Sequence, residues 1–171
     1  MADLTDLEAR IKRLEDIEAT KGDIEAIKRV KYKYFRCLDS KLWDELAECF
    51  TEDATTNYRD GKWVCQGVDQ IVQFLKRLRY TRLSVHQGHH PEIEVTSDTS
   101  AKGVWSFNDY VIDSQANTSL RGAGFYYDEY VKVNGEWKIK LTGYTRTFEE
   151  TWDRGETKSL KLTANRFASS E

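Results

Sequence analysis

The second half of the chain narrows the possible folds most. Four segments, near residues 83–96, 101–113, 122–133 and 136–149, alternate in the manner of strands and are separated by SDTS, DSQANTS and Asn134-Gly135. Asn-Gly is the strongest short hairpin signal, because both residues tolerate the positive φ that a two-residue turn requires. The pattern predicts a four-strand antiparallel meander.

The first half reads as helices around one hairpin. Leu4, Leu7, Ile11, Leu14 and Ile17 recur at helical spacing and predict an amphipathic opening helix. A break is expected around Gly22, with Thr20 and Asp23 forming a start signal for a second helix. That helix carries Ile24, Ile27, Tyr34 and Leu38 and should end near Asp39-Ser40. Ser40 then suits the N-cap of a third helix bearing Leu42, Leu46 and Phe50. Asp60-Gly61 marks a turn between short strands 54–59 and 62–66. A further helix presents Ile71, Val72, Leu75 and Leu78. Helices segregated from an antiparallel sheet define an α+β fold, in which a long curved sheet closes over helices as a cone with one open mouth. The expected organisation is an N-terminal amphipathic helix (1–22), one domain (23–152) and a polar C-terminal tail (153–171). The opening helix would pack on a neighbouring element or subunit.

Composition removes several function classes. A chain of 171 residues with 12% aromatics can close one sizeable core, despite a charged fraction of 32%. The net charge is −3, and the densest basic patch (Lys76, Arg77, Arg79, Arg82) lies at a helix end, where the dipole alone accounts for it. Nucleic-acid binding is not expected. No window approaches the roughly 18 apolar residues of a membrane span. Cys37, Cys49 and Cys65 are odd in number and lack CxxC spacing, which predicts a soluble protein of a reducing, cytoplasmic compartment.

Polar residues on apolar faces locate the chemistry. In GVWSFNDYV, Trp105, Phe107, Asp109 and Val111 share one face by alternation. A carboxylate there is costly unless a partner stabilises its charge, and a histidine is the expected partner. All three histidines fall in VHQGHHPEI: His86, His89 and His90. Strand parity sets His89 opposite the other two unless the strand bulges, which Gly88 and Pro91 permit. Metal-ligand spacing is missing, so no metal is expected. One imidazole held by one carboxylate suits proton abstraction beside a carbonyl or protonation of a departing hydroxyl, and any of the three could serve. On the last strand, Trp137, Ile139 and Leu141 fall on one face, and Thr142, Tyr144, Arg146 and Phe148 on the other. Arg146 is either a solvated edge residue or a cation at the pocket mouth for a carboxylate or phosphate.

The stretches DIEAIKRVKYKYFRCLDSKLWDEL, HQGHHPEI and GFYYDEYVKVNGEWKIKLTGYTRTFEE, with the hairpin around Tyr58, resemble the NTF2-like superfamily in its SnoaL and scytalone-dehydratase branch. Within that branch the likeness is to the bacterial bile-acid 7α-dehydratases. It runs from about residue 7 to 152. It implies a cystatin-like α+β cone that works without metal or organic cofactor and assembles as a homo-oligomer, a trimer with a dimer as the alternative. The resemblance selects His86 among the histidines and carries catalytic roles onto Tyr34, Asp39, His86 and Asp109. Arg146, Tyr58 and His89 become substrate-binding candidates. Tyr58, Trp63, Trp105 and Tyr144 are candidate walls for a flat apolar ligand. His90 becomes a bystander.

The expected activity is a cofactor-independent dehydration of a small hydrophobic polycyclic, steroid-like enone. His86 would shuttle the proton with Asp109 orienting it. Tyr34, supported by Asp39, would hydrogen-bond a substrate oxygen. Isomerisation, cyclisation and ligand binding without chemistry remain alternatives. Whether the substrate carries a coenzyme A thioester stays open.

Overall fold

The computed structural model describes residues 3–163, 165 and 167. In chain order the elements are α1 (Leu4–Ser40), α2 (Trp43–Ala47), β1 (Phe50–Tyr58), α3 (Val68–Arg79), β2 (Arg82–Ser97), β3 (Ser100–Asp113), β4 (Thr118–Val133) and β5 (Glu136–Asp153). The five strands form one sheet in the order β1-β5-β4-β3-β2. Strands β2 to β5 are the expected antiparallel meander, and β1 adds to its edge parallel to β5.

The break expected at Gly22 is absent. Helix α1 runs through it as one element of 37 residues. A lone glycine costs an exposed helix only about 1 kcal/mol, which long continuous hydrogen bonding on either side absorbs. Residues 3–22 are exposed throughout, and contact with the sheet begins at Asp23, which binds Lys132 (2.7 Å) and the Trp137 indole N–H (2.8 Å). Beyond it, Ile27, Lys31, Tyr34, Phe35 and Leu38 are buried.

The helix ends in a Schellman motif. Lys41 takes the left-handed conformation (φ 59°), its N–H reaches the Leu38 carbonyl, and the Leu42 N–H reaches the Cys37 carbonyl at 2.9 Å. Ser40 therefore closes α1, where an N-cap for the next helix was expected. The next helix has Leu42 as its N-cap and spans only Trp43–Ala47, while Phe50 begins β1. The hairpin after Tyr58 is likewise shorter than expected. Tyr58 and Trp63 exchange backbone bonds around the 59–62 turn, but residues 62–66 form bridges only.

Bulges set which side chains reach the concave face. Tyr130 pairs with Ile139 and Glu129 with Leu141, leaving Lys140 as an extra residue in β5. An extra residue reverses the alternation. Trp137 and Ile139 therefore share the inner face with Thr142, Tyr144 and Arg146, which the unbroken alternation had assigned to the opposite side. A second bulge at Thr147 turns Phe148 outward, where it is 49% exposed. In β2 the bulge lies at His90–Pro91, with His90 at φ 45°.

Candidate active site

Strand β3 brings Trp105, Phe107, Asp109 and Val111 to the concave face as alternation required, and all four are buried. Asp109 is 3% exposed. Its register partner across β2 is His86, which is also buried and points to the same side. The two do not pair directly. Asp109 Oδ2 lies 3.9 Å from His86 Nε2, while both Asp109 oxygens accept from the Arg146 guanidinium at 2.8 and 2.7 Å. The two-pronged bond is possible because Gly122 stands opposite Asp109 on the intervening β4. A Cβ there would sit 2.2 Å from Arg146 Nη1, so the bare backbone lets the guanidinium lie across the strand.

His86 is held instead by Asp39. The Nδ1 atom lies 2.6 Å from Asp39 Oδ1, and the His86 backbone N–H donates to Oδ2 at 2.7 Å. Ser84 Oγ donates to Oδ1 at 2.8 Å. The Schellman end of α1 delivers this carboxylate, since Asp39 lies in the last turn before the chain leaves the sheet. On the other side of the ring, Arg79 Nη2 lies 3.0 Å from Nε2. A carboxylate beside Nδ1 and a guanidinium beside Nε2 define one neutral tautomer, with the proton on Nδ1 and the lone pair on Nε2. Burial lowers the imidazole pKa below its ordinary value, and the Arg79 charge lowers it further, against opposition from Asp39 and Asp109. His86 is thus a neutral base at physiological pH.

Tyr34 is not supported by Asp39. Five residues along a helix turn the direction by about 140°, so the two side chains diverge. The Tyr34 hydroxyl pairs with that of Tyr58 at 3.1 Å, and burial raises both phenols well above their usual pKa, keeping them neutral. Tyr58 packs against Tyr144 with ring centroids 5.4 Å apart.

A cavity of about 320 Å³ opens over this face, at the small end of ligand-sized pockets. Trp63, Leu78, Val111, Leu120 and Tyr144 supply apolar wall. Its charged lining is Arg59, Arg79, Arg82 and Arg146 against Asp109 and Asp113. Arg79 and Asp109, the two charged neighbours of His86 Nε2, both line this cavity, and His86 itself does not.

Among the expected site residues, Asp109, Trp63, Tyr144 and Arg146 line the cavity, and His86 with Asp39 lies directly behind it. Tyr34 and Tyr58 sit one layer deeper. Trp105 belongs to the core, donating its indole N–H to Tyr130 at 3.0 Å with its ring against Tyr32. His89 faces away from the cavity, as its odd spacing from His86 dictates, and pairs with Asn108 at 2.7 Å. Sequence reasoning missed Arg79, Arg59 and Arg82 as site residues. Arg79 carried a readable signal: it follows Ile71 and Leu75 at four-residue steps, continuing the buried stripe of α3. The helix-dipole account of the basic patch obscured it.

Helices packed on a five-strand curved open sheet, with a pocket over the concave face, make this a cystatin-like, NTF2-like α+β protein. Residues 20–142 match the SnoaL-like domain, and the chain belongs to that family. An uncharacterized protein of Mycobacterium tuberculosis is 25% identical over 125 residues, covering 72% of this chain and 85% of its own. Among solved structures, a scytalone dehydratase-like protein from Novosphingobium aromaticivorans superposes with a TM-score of 0.72 at 24% identity, covering 91% of this chain and 99% of that one. Hexachlorocyclohexane dehydrochlorinase LinA-type3 from Novosphingobium barchaimii gives 0.71 at 17% identity, covering 89% and 98%. At these identities the likeness concerns the fold.

Proposed function

We propose that the protein is a cofactor-independent hydro-lyase that removes water from a small hydrophobic polycyclic enone, with His86 as the base. The observation that carries this reading is the placement of His86, whose Nδ1 lies 2.6 Å from Asp39 Oδ1 while its Nε2 lies next to Arg79 and Asp109, both of which line the cavity. Dehydratase and dehydrochlorinase, the activities named for two proteins of this fold, are both eliminations, which favours this chemistry over others. In a steroid-like 3-oxo-4-ene with a neighbouring hydroxyl, the ketone acidifies the γ-carbon proton. His86 takes that proton, and the imidazolium formed lies between two carboxylates, Asp39 and Asp109. It then gives the proton to the departing hydroxyl, so that substrate becomes a more conjugated ketone and one water. The bile-acid skeleton is one such substrate, and apolar walls with an arginine-rich rim suit a flat ring system bearing an acidic end.

The reading is tested by incubating the protein with a panel of hydroxylated 3-oxo-4-ene steroids, with and without a side-chain carboxylate. Growth of a longer-wavelength ultraviolet chromophore with loss of one water in product mass is expected. Conversion without mass loss would instead indicate an isomerase or cyclase, and tight binding without any spectral change a ligand carrier.

The assembly proposed is a homo-oligomer, a trimer or a dimer, closed through the first turns of α1. Leu4, Leu7, Ile11, Leu14 and Ile17 are between 41 and 69% exposed and form one stripe, which a second copy of the chain would cover. Replacing Leu7, Ile11 and Leu14 together by serine is expected to lower the mass measured by light scattering to one chain. A wild-type protein that already runs as a single chain would defeat the assembly.

A further inference from the structure

We infer that Arg79 is the docking cation for a carboxylate on the ligand, and that this carboxylate releases the cap that Arg79 places on His86. The inference rests on the elimination reading for its consequence, though not for the binding itself.

Three of the four cavity arginines already have acidic partners. Arg59 pairs with Glu149, Arg82 Nε with Asp113 at 3.0 Å, and Arg146 with Asp109 and, at 2.8 Å, Glu149. Among the described residues no carboxylate pairs with Arg79. Its Nη2 meets a neutral imidazole, and its Nε is buried without a hydrogen-bond partner. A partly buried guanidinium without a direct ion-pair partner and with an unused donor costs stability that a bound anion recovers. A guanidinium edge fits a carboxylate with two parallel bonds, and Arg59 and Arg82 in the same lining add to the favourable potential.

The same group sits on the base. While Arg79 donates to Nε2, that lone pair cannot accept a substrate proton, and the nearby cation disfavours the imidazolium. A carboxylate that draws the guanidinium aside removes both obstacles together. A neutral analogue occupying the apolar wall leaves the cap in place. The groups facing the imidazole are then Asp39 from α1 and Asp109 from β3, the latter bonded in turn to Arg146 from β5, with the Phe35 ring parallel to the imidazole at 6.1 Å. The ligand class is therefore an apolar ring system ending in a free carboxylate. An ester or thioester of the same skeleton lacks the group that Arg79 takes.

The test uses the full chain with two matched probes, a steroid carboxylic acid and its primary carboxamide, at neutral pH by calorimetry. The acid is expected to bind about ten- to a hundredfold tighter than the amide, as a charge-assisted bond implies. In Arg79→Gln this preference should vanish while amide affinity stays within about threefold, and Arg79→Lys should restore part of it. In nitrogen NMR of wild-type protein, the His86 Nε2 resonance should shift on adding the acid and not the amide. Equal binding of acid and amide by the wild type, or a preference surviving in Arg79→Gln, would overturn the inference. His86→Ala separates the two readings, because it should lower turnover by about 10²- to 10⁴-fold yet keep the acid preference. A protein that converts no enone but prefers the acid through Arg79 refutes the elimination and leaves the docking role standing.

Discussion

Substitution of His86 by alanine is expected to lower enone dehydration by about 10²- to 10⁴-fold, the usual contribution of a positioned acid–base group. Asp39→Asn should fall in the same range with the imidazole still in place. The asparagine can present its amide N–H₂ to Nδ1, which reverses the hydrogen bond and moves the ring proton to Nε2. The lone pair would then point into the helix end instead of towards the cavity. Asp109→Asn keeps the 3.9 Å spacing but loses half of the bond to Arg146 and one of the charges that stabilise the imidazolium, so a smaller loss is expected. The steady-state rates of the three variants, with thermal melts to check folding, decide the matter. A wild-type rate in His86→Ala would end the mechanism. A larger loss in Asp109→Asn than in Asp39→Asn would reassign the orienting carboxylate. The pH profile adds a sign. The base acts when neutral, and its folded pKa lies below the ordinary value, so the acid limb should fall below pH ~6.5. The same shift makes protonation favour unfolding, so stability attributable to His86 is present above ~6.5 and declines as pH falls through the lowered folded pKa.

Lys31→Met is expected to be the most destabilising single change away from the site, at about 3–5 kcal/mol. Lys31 is fully buried in the middle of the inward stripe of α1, and its ammonium lies 2.7 Å from Asp128 Oδ2, which is also fully buried. The Tyr126 ring centroid is 3.8 Å from the same nitrogen. Asp128 further accepts from Tyr130 at 2.7 Å and from Thr142 at 2.6 Å. Removing the ammonium leaves a dry carboxylate with two neutral donors and no counter-charge. Adding Asp128→Asn to the methionine variant should recover part of the loss, since the amide oxygen still accepts from Thr142 or Tyr130. Urea unfolding midpoints test both steps. An unchanged midpoint in Lys31→Met would show that the pair contributes nothing net.

These two sites also mark what the residues alone could disclose. The meander and the buried face of Asp109 follow from local alternation and turn chemistry, which depend on neighbours in the chain. The partner of His86 does not. Asp39 and Asp109 are both plausible from sequence, and the choice turned on a helix end, a glycine opposite Asp109 and the reach of an arginine two strands away. Lys31 escaped notice because a lysine at a core position reads as an interruption of the stripe until its carboxylate is seen. Trp105 and Tyr58 were assigned to the wall because aromatic residues on an inward face serve cores and pockets alike, and only depth separates the two. The face swap along β5 was invisible because nothing about Lys140 announces an extra residue in the pairing.

That extra residue and its counterpart at Thr147 make strand length a way of tailoring the pocket. One unpaired residue, Thr147, separates Phe148 from Arg146. Loss of that residue would leave Phe148 outward, since Arg146 and Phe148 would then be consecutive and on opposite faces, whereas loss of a paired residue such as Thr145 would shift the alternation along the rim. Gain of a residue elsewhere in β5 would exchange Tyr144 or Arg146 for its neighbour. Single-codon insertions and deletions in this strand can therefore remodel ligand shape and charge preference in one step, while the hydrogen-bonded frame and the Asp39–His86 pair, carried by other elements, stay where they are.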